Sequence, residues 1–249
     1  MKRLLPAFLI LLSMACQQQA PRQAVQAAGI GDSLSTVAPG PEAAAIAEIK
    51  DTVTIGGRLF TWSPIDKSEF DAIPEMQPDT SEAVNIAKAP EGRVVRSGDS
   101  LIFSLINGGR HVVVNNHHDG DDFAQFTYQG FIPELQHWLV LNIGYEWFSY
   151  DLISARTGAL LRTIGIPQFS PDKKYFIAAN ADLVAQFNDN GFELYEVRES
   201  GPVLVQEYQA EKWGPAKIKW KDANTFYAEI REVDTQMEET IRHVKFSLQ

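Results

Sequence analysis

The chain has 249 residues, 45% of them apolar, with 22 Lys and Arg against 32 Asp and Glu and a formal net charge of -10. That balance argues against a nucleic-acid partner, whose phosphates need a basic footprint. The single cysteine rules out an intrachain disulfide framework, so stability must come from a packed core, and a chain of this length can bury one.

The amino terminus reads as an export signal. Lys2 and Arg3 are followed by an apolar stretch, Leu4 to Met14, and by the small residue Ala15. The stretch is far short of the roughly 20 apolar residues that cross a bilayer as a helix. Leu12-Ser13-Met14-Ala15-Cys16 resembles the bacterial lipobox: Ala15 and Cys16 match, Leu12 sits one place early, and Ser13 takes the usual Leu position. The resemblance implies cleavage before Cys16, acylation of its thiol, and anchoring in the bacterial cell envelope. Gln17 fits sorting to the outer membrane, on its periplasmic or surface side. The alternative is an ordinary secretory signal with a chance cysteine. Loss of Lys2 and Arg3 with the signal moves the net charge by two, from -10 to -12. The membrane partner would then be reached through the lipid, since no polybasic patch is present to hold it.

Residues 16–49 read as a flexible tether. Gln17-Gln18-Gln19 and the Ala-, Gln-, Gly-, Ser- and Pro-rich run after it offer little to bury. About 30 such residues reach on the order of 30 Å. An Ala-rich turn of helix is expected over residues 42–50, where the tether meets the domain. The division is therefore signal 1–15, tether 16–49 and folded domain 50–249.

Within the domain the pattern is β. Runs of β-branched and aromatic residues are broken by turn residues at short intervals, with no long 3.6-residue periodicity. Strands are expected over 100–106 and 110–115 around Asn107-Gly108-Gly109, where Asn-Gly accepts the positive φ of a hairpin turn. Further strands are expected over 145–153 and 159–164 around Arg156-Thr157-Gly158. A third pair, 183–187 and 192–197, flanks Asn188-Asp189-Asn190-Gly191. Another strand is expected over 203–208, after Ser200-Gly201-Pro202.

The domain also repeats itself. Phe131-Ile132-Pro133-Glu134 leads into His137-Trp138-Leu139-Val140, and Phe169-Ser170-Pro171-Asp172 leads at the same offset into Tyr175-Phe176-Ile177-Ala178. A shortened third copy, Trp220-Lys221-Asp222, leads into Phe226-Tyr227-Ala228. Units of roughly 38 to 50 residues with about four strands characterise propeller blades. The Ser-Pro-Asp turn before an aromatic strand resembles the loosely repeated WD40-like and TolB-like β-propellers over about residues 92–249. The Trp-Asp and Gly-His pairs of true WD40 repeats are missing. The expected class is all-β: propeller-like four-stranded units in four or five blades, or alternatively a β-sandwich or open meander.

Three motifs carry candidate chemistry. Gly31-Asp32-Ser33-Leu34-Ser35 resembles the nucleophile block of GDSL esterases. The preceding Gln23 to Gly29 has no strand character, however, and none of the five His has an Asp three residues before it. A serine without a base is an ordinary hydroxyl. Asn115-Asn116-His117-His118-Asp119-Gly120-Asp121-Asp122 is the densest polar cluster. Asn115, His117, Asp119 and Gly120 echo half of an EF-hand loop, but Phe126 stands where the bidentate Glu belongs. His117, Asp119, Asp121 and Asp122 are thus a possible ligand or weak metal loop, against a solvated hairpin loop. The aromatic-rich run Tyr145, Trp147, Phe148 and Tyr150 is either core or, at an exposed rim, a contact for glycan or peptide, with Trp147 the foremost candidate. Glu134 and His137 fall on a turn and a strand, which points to packing and not to an acid–base pair. Glu229, Glu232, Asp234, Glu238 and Glu239 are expected on a solvated terminal hairpin.

No cofactor signature is present. The reading is of an envelope lipoprotein whose β domain binds or scaffolds a protein, peptide or glycan. The alternative is an envelope hydrolase using carboxylates of the 119–122 loop.

Overall fold

The computed structural model describes residues 51–55, 57–74 and 81–248. The export signal with Cys16, the tether, the helix expected over 42–50 and the Gly31–Ser35 motif lie outside these residues.

The described chain is all-β with two short α-helices and a 3-10 turn at Pro90–Gly92. A hairpin of β1 (Asp51–Ile55) and β2 (Arg58–Pro64) precedes α1 (Lys67–Asp71) and α2 (Glu82–Ala87). A three-stranded sheet follows, β3 (Val94–Ser97), β4 (Ser100–Ser104) and β5 (Arg110–Val114). Next comes a meander of four strands, β6 (Ala124–Ile132), β7 (His137–Gly144), β8 (Phe148–Ser154) and β9 (Leu160–Thr163). A second four-stranded meander contains β10 (Gln168–Phe169), β11 (Tyr175–Asn180), β12 (Gly191–Arg198) and β13 (Gly201–Gln209). The last three strands are β14 (Trp213–Asp222), β15 (Thr225–Val233) and β16 (Glu239–Leu248). They form a five-stranded sheet in the order β1-β2-β16-β15-β14, because the early strand β2 pairs antiparallel with the last strand. None of the four sheets closes on itself.

Side-chain alternation along the strands explains how the sheets pack. In β7 and β8, Trp138, Val140 and Ile153 point to one face and join Leu101, Phe103 and Tyr128 in one buried cluster. Leu139 and Leu152 point to the other face and join Phe176 and Tyr195. Ile177, beside Phe176, turns to a third cluster with Phe192, Leu194, Phe226, Val244 and Phe246. Successive residues of a strand face opposite ways, so a sheet buried on both faces needs an unbroken apolar run. Trp138 to Val140 is such a run, buried throughout, and His137 before it is buried as well.

The repeat marks a recurring place. Its three turns join β6 to β7, β10 to β11, and β14 to β15, the hairpins that open the three runs of strands after the β3–β5 sheet. In the central copy Ser170 is fully buried. Its Oγ donates to Asp172 Oδ1 at 2.7 Å and accepts from the Tyr175 amide at 3.1 Å. The Asn-Gly hairpin also forms as expected, with Gly108 at φ 87° and the Gly109 amide donating to Asn107 Oδ1 at 2.9 Å.

Two expectations fail. Residues 183–187 are not a strand: the Asp182 carboxylate accepts the amides of Gln186, Phe187 and Asn188, which turns them away from any ladder. The partner of β12 is instead β11. The strand expected from Tyr145 starts only at Phe148, because residues 145–147 make the bend out of β7.

The helices had no periodic signal because they are five and six residues long. Tertiary contacts hold them. Phe70 of α1 is buried against Lys219 of β14, whose Nζ lies 4.3 Å from the ring centroid and donates to the Phe70 carbonyl. In α2, Glu82 accepts the Tyr128 amide at 2.8 Å and pairs with Arg96 at 2.6 Å.

Candidate functional site

The packing of the two meanders positions a cavity. Leu141 and Ile143 of β7 share the face of Leu139, and Phe148 and Tyr150 of β8 share the face of Leu152. Leu141 pairs with Tyr150 and Ile143 with Phe148. Where Leu139 and Leu152 stand, the neighbouring sheet covers this face with Phe176 and Tyr195. Toward the β7–β8 bend the four side chains are only partly covered, and a cavity of about 470 Å³ opens there. Gly144, Glu146, Trp147 and Asn188 complete its lining. The hollow is open to solvent and its lining is mostly apolar, with few polar groups.

The rim is ordered by local hydrogen bonds. Asn188 Oδ1 accepts the Phe148 amide at 2.8 Å, so the 181–190 loop is pinned to the start of β8. Burial would raise the Asp182 carboxyl, but the amides of Asn188, Gln186 and Phe187 outweigh it and hold its pKa below the ordinary value. Glu146 and Gln186, one on each flanking loop, are non-glycine residues with φ of 63° and 56°. Such backbones persist only where the surroundings fix them. Among the described residues the exposed aromatic side chains are Tyr145 and Phe187, 51% and 54% exposed. Each adjoins a cavity-lining residue in sequence.

A titrating group is linked to the cavity through the strand paired with Tyr150. Tyr150 pairs with Thr163, and the next amide, Ile164, donates to Glu193 Oε2 at 3.2 Å. Burial dominates at Glu193 and pushes its pKa up to about 7, against hydrogen bonds from Ile164 and Tyr195 that favour the anion. Its cross-strand neighbour Glu207 adds repulsion. Burial likewise raises the Tyr150 phenol.

The residues nominated from sequence part company here. Trp147 lines the cavity. His117, Asp119, Asp121 and Asp122 are exposed on the β5–β6 loop and do not line it. His117 Nε2 is 2.8 Å from Asp99 Oδ1, and Asn116 Nδ2 donates to the Asp122 carbonyl. Among the described residues no three His, Cys, Asp or Glu side chains gather as a metal site. His137 is buried and bonds the Leu135 carbonyl, and burial lowers its pKa. Glu134 pairs with Lys173 at 3.0 Å. On the last hairpin Glu229 departs from expectation: it lies 3.6 Å from His243 with its side chain 13% exposed.

Asn188, Leu141, Ile143 and Glu193 had no sequence signal as site residues. The density of aromatics at 145–150 was the one usable clue. Comparison with family models gives no match, and neither does comparison with curated protein sequences.

Proposed function

We propose that this chain is a cell-envelope lipoprotein, anchored through acylated Cys16, whose β domain recognises a protein, peptide or glycan with the Trp147 cavity. The observation that carries the recognition reading is the convergence of an aromatic-lined cavity and the exposed aromatics Tyr145 and Phe187 at one end of two packed sheets. Rigid aromatics bring large contact area at low entropy cost, which is why binding energy concentrates on them. Burying Tyr145 and Phe187 in an interface also removes apolar surface from water.

A propeller-like arrangement of the four sheets as blades fits this role. It is supported by the repeat at the hairpins that open three runs of strands, by buried clusters between consecutive sheets, and by β2 completing the sheet of the last strand. Loops then gather at the ends of the sheets, where recognition takes place.

Two experiments test the proposal. Fatty-acid labelling and fractionation should place the chain in the membrane fraction and Cys16→Ser in the soluble fraction; equal labelling of both rejects the anchor. A photocrosslinking amino acid at position 187 should capture an envelope component in a Trp147-dependent way, while one at position 119 should not. Capture from 119 alone contradicts the cavity reading.

A further inference from the structure

Asn188 also borders a second hollow. This one, of about 280 Å³, is lined by polar and acidic groups, among them Asp182, Asp189 and Glu211. The two halves differ in chemistry: Leu141, Ile143, Phe148 and Tyr150 make one side apolar, and carboxylates mark the other. Neither lining contains a Lys, Arg or His.

The carboxylates differ in how far they are committed. Asp182 is used up by the loop amides it accepts. Glu146, Asp189 and Glu211 are exposed and have no ion-pair partner among the described residues. Arg162 lies 5.8 Å over the Trp147 ring, but its Nε is bound to the buried Asp151 at 3.1 Å. Covering this rim with an apolar partner would strip water from carboxylates without replacing it, which costs free energy. A cation placed there gains Coulomb attraction that strengthens as water is excluded.

We infer that the cavity takes a basic, hydrophobic peptide segment, with an aromatic or long aliphatic side chain in the apolar half and a neighbouring Lys or Arg at the acidic half. The inference rests on the recognition reading above. The halves meet at one residue, so apolar group and cation must lie within one or two residues of each other, at about 3.3–3.6 Å per extended residue. A neutral glycan could stack on the aromatics and donate hydroxyl hydrogen bonds to the carboxylates, but it leaves their charge uncompensated.

Calorimetric titration of the full chain with acetyl-Phe-Lys-Phe-Lys-amide tests this, with the Phe-Glu-Phe-Glu and Gly-Lys-Gly-Lys peptides and a neutral hexose oligomer as comparison probes. The Phe-Lys peptide should bind most tightly. Phe187→Ala should weaken it roughly tenfold, and Asp189→Asn with Glu211→Gln roughly fivefold, more at low salt than at high. Phe187 is exposed, so its removal leaves the fold intact; melting curves check this. If the acidic peptide or the hexose oligomer binds as well, with the same Phe187 dependence, the ligand class is overturned and the cavity stands as the site. Failure of the Phe-Lys peptide to bind also overturns the class. If every probe binds without regard to Phe187 and Trp147, both readings fall.

Discussion

The indole of Trp147 lies against the backbone of Gly144: a Cβ built on Gly144 would stand 2.0 Å from Trp147 Cε2 and 2.3 Å from Nε1. The two residues close the β7–β8 bend, where the Gly144 amide donates to the Trp147 carbonyl at 2.8 Å. Gly144 therefore sets where the cavity's tryptophan can sit. Gly144→Ala is expected to push the ring out of place and cost about 1–3 kcal/mol through overpacking. The readout is Trp147 emission, taken as the difference between each protein and its Trp147→Phe form. It should shift toward longer wavelength in the alanine variant, alongside a lower melting temperature.

Glu193 should make stability depend on pH. Its folded pKa, pushed up to about 7, exceeds its ordinary value of 4.5. Below pH 4.5 both states carry the proton and the group contributes nothing to the pH slope. Between 4.5 and 7 the unfolded state releases the proton while the folded state keeps it, so stability falls as pH rises and levels off above 7. Partial exposure reduces the effect to about 2 kcal/mol over the window. Urea midpoints at pH 5 and pH 8 should differ less in Glu193→Gln than in the parent. An unchanged difference would show that Glu193 does not supply the slope.

Ser170 holds the central repeat turn from inside the protein. Ser170→Ala leaves the Tyr175 amide without its hydroxyl acceptor and frees Asp172 from its shortest hydrogen bond. A cost of about 1–2 kcal/mol is expected, read as a lower denaturant midpoint with an unchanged slope.

The pairing of β2 with β16 ties an early strand to the last one. Phe60 of β2 is 5% exposed and its ring centroid lies 5.9 Å from that of Phe226. Phe60→Ala should cost about 3 kcal/mol or more. Hydrogen exchange along β16 should quicken at the same time, since its outer neighbour is loosened. Normal exchange in β16 would mean that β2 is dispensable to that sheet.

How much of this was legible in the sequence depended on the range of the cause. The Asn107-Gly108 hairpin and the Ser170–Asp172 turn were readable because their hydrogen bonds close within a few residues. The all-β class was readable because alternation and turn spacing are local. The 181–190 loop was misread because Val184 and Phe187 look like strand residues, and only the Asp182 carboxylate, through its three amides, decides otherwise. The helices were invisible because Phe70 is held by Lys219, 149 residues away. The cavity could be guessed at Trp147 alone: Leu141 and Ile143 are indistinguishable in sequence from the buried Leu139, and only the place where the neighbouring sheet stops covering them sets them apart.

The proposed function makes the Trp147 end of the two packed sheets the face that meets a partner. Hydrogen-exchange mass spectrometry of the protein in membrane vesicles from cells that produce it, compared with the purified protein in detergent, is the decisive measurement. Slower exchange in the vesicles over 143–148 and 182–188, with 115–123 unchanged, is the predicted result. Protection confined to 115–123, or no difference at 143–148, would contradict it.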